Sequence, residues 1–206
     1  MTGRDEWEGA ADARRCLEIL FEPGAVVELR APKIPPRSTV FAGYYADMEA
    51  LVRDARACEK RGAPGVYVTL NPVNPALLAR SKNRGRDKPE AATGNSDILC
   101  RRWMFVDIDP TRPAGISATE GEHRAALNRA GRVALEMGNL GWPKPIVVDS
   151  GNGAYLLYRI DVPTDDKGLI GRVLLALGAK FDDPAVKVDV TAANSARILK
   201  LVGTLA

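Results

Sequence analysis

The spacing of apolar positions changes along the chain, and each change predicts an element. Ala11, Cys16, Leu17 and Leu20 fall roughly on one face at helical spacing, which predicts a helix from about Glu8 to Phe21. AVVELR (25–30) predicts a short strand. Asp47 can cap a helix whose inner stripe is Leu51, Val52, Ala55 and Cys58, with Gly62 and Gly65 ending it. VYVTL (66–70) is rich in β-branched residues and stops at Asn71-Pro72, so it predicts a strand. From Pro72 to about Asp97 the pattern dissolves. This stretch is polar, basic and rich in Pro and Gly, which predicts a long loop with one helical turn at Ala76–Ala79.

The second half is more regular. RWMFVDID (102–109) predicts a strand closed by Pro110, and Ser117 with Glu120 reads as a capping box opening a helix. That helix carries the stripe Leu127, Ala130, Val133, Ala134, Met137 and Leu140, and Gly138 and Gly141 end it. PIVVD (145–149), the turn SGNG and AYLLYRI (154–160) predict a hairpin, because Asn-Gly between apolar runs favours a tight turn. Thr164, Asp165 and Asp166 make an acidic helix start, followed by the face Leu169, Ile170, Val173, Leu174 and Leu177. VKVDV (186–190) predicts the last strand. The order strand, helix, strand, strand, helix, strand is the split βαβ motif. Right-handed crossovers would put both helices on one sheet face and leave the other open. The expected class is α+β with two lobes. A small N-terminal α/β lobe covers 1–100 and carries the basic loop at about 72–97. A ferredoxin-like sheet lobe covers 101–206.

Composition narrows the function classes. The chain has 206 residues, 46% hydrophobic and 27% charged, enough to bury a core, which excludes a mostly disordered chain. The longest apolar runs, VLLAL and PIVV, are too short to span a bilayer, and MTGRDEWEGA lacks the apolar centre of a secretory signal. Cys16, Cys58 and Cys100 are odd in number and widely spaced, as expected in a reducing cytosol. No CxxC occurs and His123 is the only histidine, which argues against zinc. The net charge of +3 is modest but local: residues 1–102 hold 17 Lys/Arg against 14 Asp/Glu. Arg80, Lys82, Arg84, Arg86 and Lys88 crowd into RSKNRGRDK, and Arg101 and Arg102 follow. Such a run is either a solvated loop or a polyanion contact.

The carboxylates suggest chemistry. Alternate residues of a strand share a face, so Asp107 and Asp109 point the same way, roughly 7 Å apart, while Met104, Val106 and Ile108 point to the helices. Two carboxylates on an apolar central strand are costly unless a cation neutralises them, and magnesium is a hard ion that bridges carboxylates to phosphates. The plain alternative for Asp109 is a strand end opening a turn at Pro110. In the split βαβ order the last strand neighbours the first, so Asp189 can join the pair, and three carboxylates can hold the two ions used in phosphoryl transfer. Ser150, Gly151, Asn152 and Gly153 read either as a plain hairpin, with positive φ at Asn152 and Gly153, or as a loop offering N–H groups to a phosphate. Arg197 and Lys200 share a face on a helix and diverge on a strand, and the local pattern leaves both open.

FVDIDP, then DSGNGAYLLYRID, then KVDV with NSARILKLVGT, resemble the three motifs of archaeo-eukaryotic-type primases. The text is most similar to the primase-polymerase domains of bacteria, plasmids and phages, and GVYVTLNPVNPALLAR and RRWMFVDIDP share the likeness. It covers roughly residues 26–206. The resemblance implies a cytoplasmic nucleotidyltransferase that starts and extends strands on single-stranded DNA. It implies Asp107, Asp109 and Asp189 as ligands of two Mg²⁺ or Mn²⁺ ions. Ser150, Gly151, Asn152, Gly153, Tyr155, Arg197 and Lys200 would bind the NTP or dNTP. Arg80, Lys82, Arg84, Arg86, Arg101 and Arg102 would contact template and primer. Relatives often continue into a helicase or accessory region, so such a chain is expected to be a catalytic domain that works with replication proteins. One departure stands out: the family's second motif usually places a histidine where this chain has Tyr155. A phenol donates one hydrogen bond but does not become cationic near neutral pH.

Three other classes compete. A degenerate primase-like module would hold nucleic acid or nucleotide without catalysis. A two-metal nuclease would cut DNA without nucleotide, although no histidine or lysine beside the carboxylates is an obvious base. An ordinary ferredoxin-like protein would carry incidental acids. Trp7, Tyr44, Tyr45, Tyr67 and Trp103 are candidates to stack on bases, most of them better placed as core residues.

Overall fold

The computed structural model describes residues 8–113 and 115–204. In chain order the elements are α1 (Ala10–Leu20), β1 (Val27–Ile34), β2 (Thr39–Tyr45), α2 (Met48–Lys60), β3 (Tyr67–Thr69), β4 (Arg84–Asp87) and β5 (Arg101–Pro110). They continue with α3 (Glu120–Asn139), β6 (Ile146–Asp149), β7 (Ala154–Val162), α4 (Leu169–Phe181), β8 (Val186–Val188) and β9 (Ile198–Lys200). Single 3₁₀ turns lie at Pro75–Ala79, Asn95–Asp97 and Val190–Ala193. The class is α+β, with two antiparallel sheets and four α-helices among the described residues. Residues 8–99 and 196–204 form one compact unit, and residues 100–195 form the other.

In the first unit the strand order is β4-β2-β1-β3-β9. Asp47 caps α2 by accepting the N–H groups of Glu49 and Ala50, which satisfies donors the helix itself leaves orphaned. Ala50, Leu51, Val52, Ala55 and Cys58 of α2 are buried. The odd-numbered face of β2 meets this helix. Tyr45 donates its hydroxyl to Asp54 (2.6 Å), and the guanidinium of Arg61 sits 5.5 Å from the ring centre of Phe41. Burial and the Asp54 carboxylate together raise the Tyr45 phenol far above its usual range.

The segment 72–97, expected as a loop, is more ordered than its composition suggests. Val73, Leu77 and Ile98 make a small core with Val26 and Tyr44, and Asn74 caps the 3₁₀ turn through Ala76 N–H. Residues 84–87 add the edge strand β4. RGRD has no apolar residue, so no alternation betrays it. It pairs through backbone alone, and Gly43 faces Gly85 because a Cβ at Gly43 would come 2.2 Å from the Arg84 carbonyl oxygen. Nothing in the apolar pattern marked β2 as a strand either.

In the second unit the strand order is β6-β7-β5-β8, all antiparallel, which is the split βαβ order. Helix α3 packs on β5, β7 and β8, and α4 packs on β8 and α3. The capping box lies two residues beyond the expected one. Thr119 and Glu122 form it reciprocally, so α3 opens at Glu120. Its buried stripe is Ala126, Ala130, Val133 and Met137, while Leu140 is 68% exposed. Asp166 starts α4 by accepting the N–H groups of Gly168 and Ile170.

The second lobe was expected to reach 206. Instead, residues 198–200 pair with β3 of the first unit, Tyr67 opposite Lys200 and Thr69 opposite Ile198. A strand of three residues carries too few alternations to be read as one. No helix among the described residues is long and apolar enough to cross a membrane.

Candidate active site

Strand β5 sorts its side chains by face. Met104, Val106 and Ile108 are fully buried, Asp107 is half-buried and Asp109 is exposed. Register then brings partners to the carboxylates. Asp107 stands opposite Tyr155 on β7. Beyond the pair Ile108 and Val188, the Asp189 N–H donates to the Asp107 carbonyl (2.9 Å), so Asp189 flanks Asp107 from the other side. Asp109 stands opposite Lys187. Asp189 was expected inside the last strand. It lies one residue past β8, where its carboxylate accepts the N–H (2.9 Å) and hydroxyl (2.6 Å) of Thr191 and caps the 3₁₀ turn at 190–193.

The face that carries Asp107 was expected to be open. Trp103, Phe105, Tyr155 and Leu157 share it and are all buried, because aromatic and aliphatic side chains do not stay in water when cover is available. Its two ends are exposed, at Asp109 and at Arg159 opposite Trp103. Tyr155 is 5% exposed and its ring lies 5.1 Å from that of Phe105.

The β6–β7 turn beside Asp109 is tightly organised. Positive φ falls on Gly151 (82°) rather than on Asn152 or Gly153. Gly153 is required for a different reason: a Cβ there would come 2.6 Å from both Asp109 Oδ1 and the Ile108 carbonyl oxygen. Three of the four N–H groups from 150 to 153 are engaged inside the turn. Ser150 N–H donates to Gly153 O, Gly151 N–H to Asp149, and Gly153 N–H to Ser150 Oγ. The expected phosphate cradle therefore keeps most of its donors for itself.

Two ties anchor the turn to the start of α3. Ala118 N–H donates to Asn152 Oδ1 (2.8 Å), and His123 Nε2 lies 2.7 Å from Asp149 Oδ1. The Gly151 N–H first of all, with help from His123, holds the Asp149 carboxyl below its usual range, against the opposing effect of burial. His123 and Asp149 are 26 positions apart, and the sequence gave no signal for this pair.

The candidate cations divide. Arg101 was expected to contact nucleic acid, but it is engaged inside the second unit. Its guanidinium meets Asp166 (3.2 Å) and donates to the carbonyls of Ala193 (2.6 Å) and Thr164 (3.3 Å). Arg102 meets Asp161 (3.3 Å), which also binds Arg159 (2.6 Å). Arg80, Lys82, Arg84 and Arg86 are exposed in the first unit. Arg197 and Lys200 belong to that unit as well. They lie on extended chain, so their odd spacing puts them on opposite faces: Arg197 accepts from Leu70 N–H and Lys200 pairs with Tyr67. Burial pushes the Lys200 ammonium down from its ordinary value, opposed by Glu59. Of the candidate stacking residues, Tyr44, Tyr45 and Trp103 are buried and Tyr67 is half-buried; Trp7 lies outside the described residues.

Three aspartates supply hard oxygen donors, which suit Mg²⁺ or Mn²⁺ by type. Asp107 and Asp189 also suit such an ion by their neighbouring positions. As the side chains stand, no group of three or more His, Cys, Asp or Glu among the described residues is gathered closely enough to hold a metal ion. Comparison with family models, curated proteins and solved structures finds no match to this chain.

Proposed function

We propose that the chain is a metal-dependent nucleotidyltransferase. Within that class we read it as a primase-polymerase of archaeo-eukaryotic type, cytoplasmic, whose two units correspond to the two lobes of that family. The observation that carries the proposal is the juxtaposition of Asp107 on β5 with Asp189 just past the neighbouring β8, with Asp109 two residues on and pressed against Gly153 of the β6–β7 turn. Asp107, Asp109 and Asp189 would hold Mg²⁺ or Mn²⁺, which when bound supply charge neutralisation and activation of a 3′-hydroxyl. Ser150, Asn152 and Tyr155 are assigned to the incoming NTP or dNTP. Gly153 holds the turn close to Asp109. Arg80, Lys82, Arg84 and Arg86 of the first unit are assigned to template and primer.

The test is incorporation of labelled nucleotides on single-stranded DNA, with and without a primer, in Mg²⁺ or Mn²⁺. Metal-dependent products are expected. The Asp107→Ala variant should fold normally and lose incorporation by a factor of a thousand or more, on the order of the loss seen when a main source of transition-state charge stabilisation is removed. A variant that still extends primers would show that the site lies elsewhere.

Tyr155 favours a second reading, a binding module that has lost catalysis. It occupies the place of the family's histidine and is buried on Phe105. If the wild-type chain binds DNA without incorporating nucleotide, and Tyr155→His restores incorporation, the second reading holds.

A further inference from the structure

One cation stands among the carboxylates and has no part in the reading above. Strand β8 alternates: Val186 and Val188 are buried, and Lys187 between them is exposed. Val188 pairs with Ile108, and Lys187 pairs with Asp109. Directly paired residues of an antiparallel ladder share a face, with Cβ atoms roughly 5 Å apart. Lys187 therefore lies on the face of Asp107 and Asp109, at its exposed Asp109 end, two residues before Asp189. Gly153 precedes β7, the neighbour of β5 on the other side, so Asp109 stands between Lys187 and the β6–β7 turn.

The lysine is not spent on its opposite number. Among the described residues no ion pair joins Lys187 to Asp109, although register sets them face to face. Arginines of the same unit are committed elsewhere. Arg101 is held by Asp166 and two carbonyls, and Arg159 lies on Asp161 and over the Trp103 ring (5.5 Å) at the far end of the face. A polyphosphate brought to three carboxylates adds more negative charge than the ions they hold can offset, so it needs a cation of the protein. Lysine suits the task, being a compact point charge on a flexible stem. The same charge opposes a metal ion that arrives without nucleotide, because both cations then compete for the field of the carboxylates.

We infer that Lys187 contacts the polyphosphate of the incoming nucleotide and couples its binding to that of the metal, disfavouring the ion alone and favouring the ion with nucleotide. The inference rests on the proposed function for its ligand and adds a residue which that function does not use. Two equilibrium titrations of the full chain test it. Mn²⁺ alone is followed by electron paramagnetic resonance, and ATP and dATP, with their monophosphates, are followed by calorimetry in Mg²⁺. Lys187→Gln should weaken the triphosphates roughly tenfold, as expected for one lost hydrogen bond between charged groups, and leave the monophosphates nearly unchanged. It should tighten Mn²⁺ alone, by up to roughly tenfold, since a unit positive charge leaves the side of a divalent site. Lys187→Arg keeps the charge and should reverse both effects. Because Lys187 is exposed, the variants should unfold at the wild-type temperature.

Equal triphosphate affinity in Lys187→Gln and the wild type overturns the inference. So does a loss that falls equally on the monophosphates, a weakening of Mn²⁺ alone, or a wild type that holds triphosphate no tighter than monophosphate. Lost affinity for oligo-dT in place of triphosphate would overturn it too and give the cation to the strand. A chain that binds triphosphate through Lys187 yet incorporates no nucleotide would overturn the polymerase proposal and leave the contact standing. Incorporation with an unchanged KM for nucleotide in Lys187→Gln would do the reverse.

Discussion

Single atoms decide two residues. The Tyr158 hydroxyl is fully buried, has no hydrogen-bond partner and packs edge-on against Trp142 at 5.6 Å. Burial pushes its phenol up to about 12. An unpartnered buried hydroxyl is a liability, so Tyr158→Phe should leave the protein as stable or raise stability by about 1 kcal/mol in denaturant unfolding; a loss of that size would mean the hydroxyl has a partner. Gly153 works in the opposite sense. Gly153→Ala forces a methyl onto Asp109 and the Ile108 carbonyl. It should cost about 1–3 kcal/mol of stability, as overpacking does, and should move the turn off the carboxylates. At this scale Asp107 and Asp109 were legible, because alternation alone puts them on one face. The need for glycine at 153 was legible but for the wrong reason, since sequence shows a turn and not the carboxylate pressed against it.

At the scale of elements, α3 and the β6–β7 hairpin act as a pair. His123 on Asp149 and Asn152 on Ala118 tie the turn to the helix start. His123→Ala should speed amide exchange at 150–153; an unchanged exchange rate would show that the turn holds itself. Asp149 has a depressed carboxyl in the folded state. Its contribution is therefore present above the ordinary carboxylate range and is lost as pH falls through the folded value. Stability should fall less steeply below about pH 4 in Asp149→Asn than in the wild type.

The strong helices were legible because their apolar stripes run for several turns. Strands β4 and β9 were not, since four polar residues or three residues of any kind show no period. Charge was legible only as a run. Arg84 and Arg101 look alike in sequence, yet one is exposed and the other is bonded to Asp166 and two carbonyls. Thermal unfolding should separate them: Arg101→Ala should cost about 3 kcal/mol, as expected when a buried pair loses a partner, and Arg84→Ala less than about 0.5 kcal/mol.

At the scale of the whole molecule, the break near residue 100 was legible from the change in patterning, but the return of the chain was not. Residues 196–204 rejoin the first unit, and the Ala196 N–H donates to Asn95 beside the point where the chain left. The second unit is thus an insertion with adjacent ends. This has a consequence for synthesis. β3 ends at Thr69 and β9 begins at Ile198, so β3 waits with one edge unpaired while about 130 residues are made. At cellular elongation rates that wait lasts roughly 6–26 seconds. During it the nascent chain presents an open strand edge of the kind that recruits other chains, until β9 pairs with it.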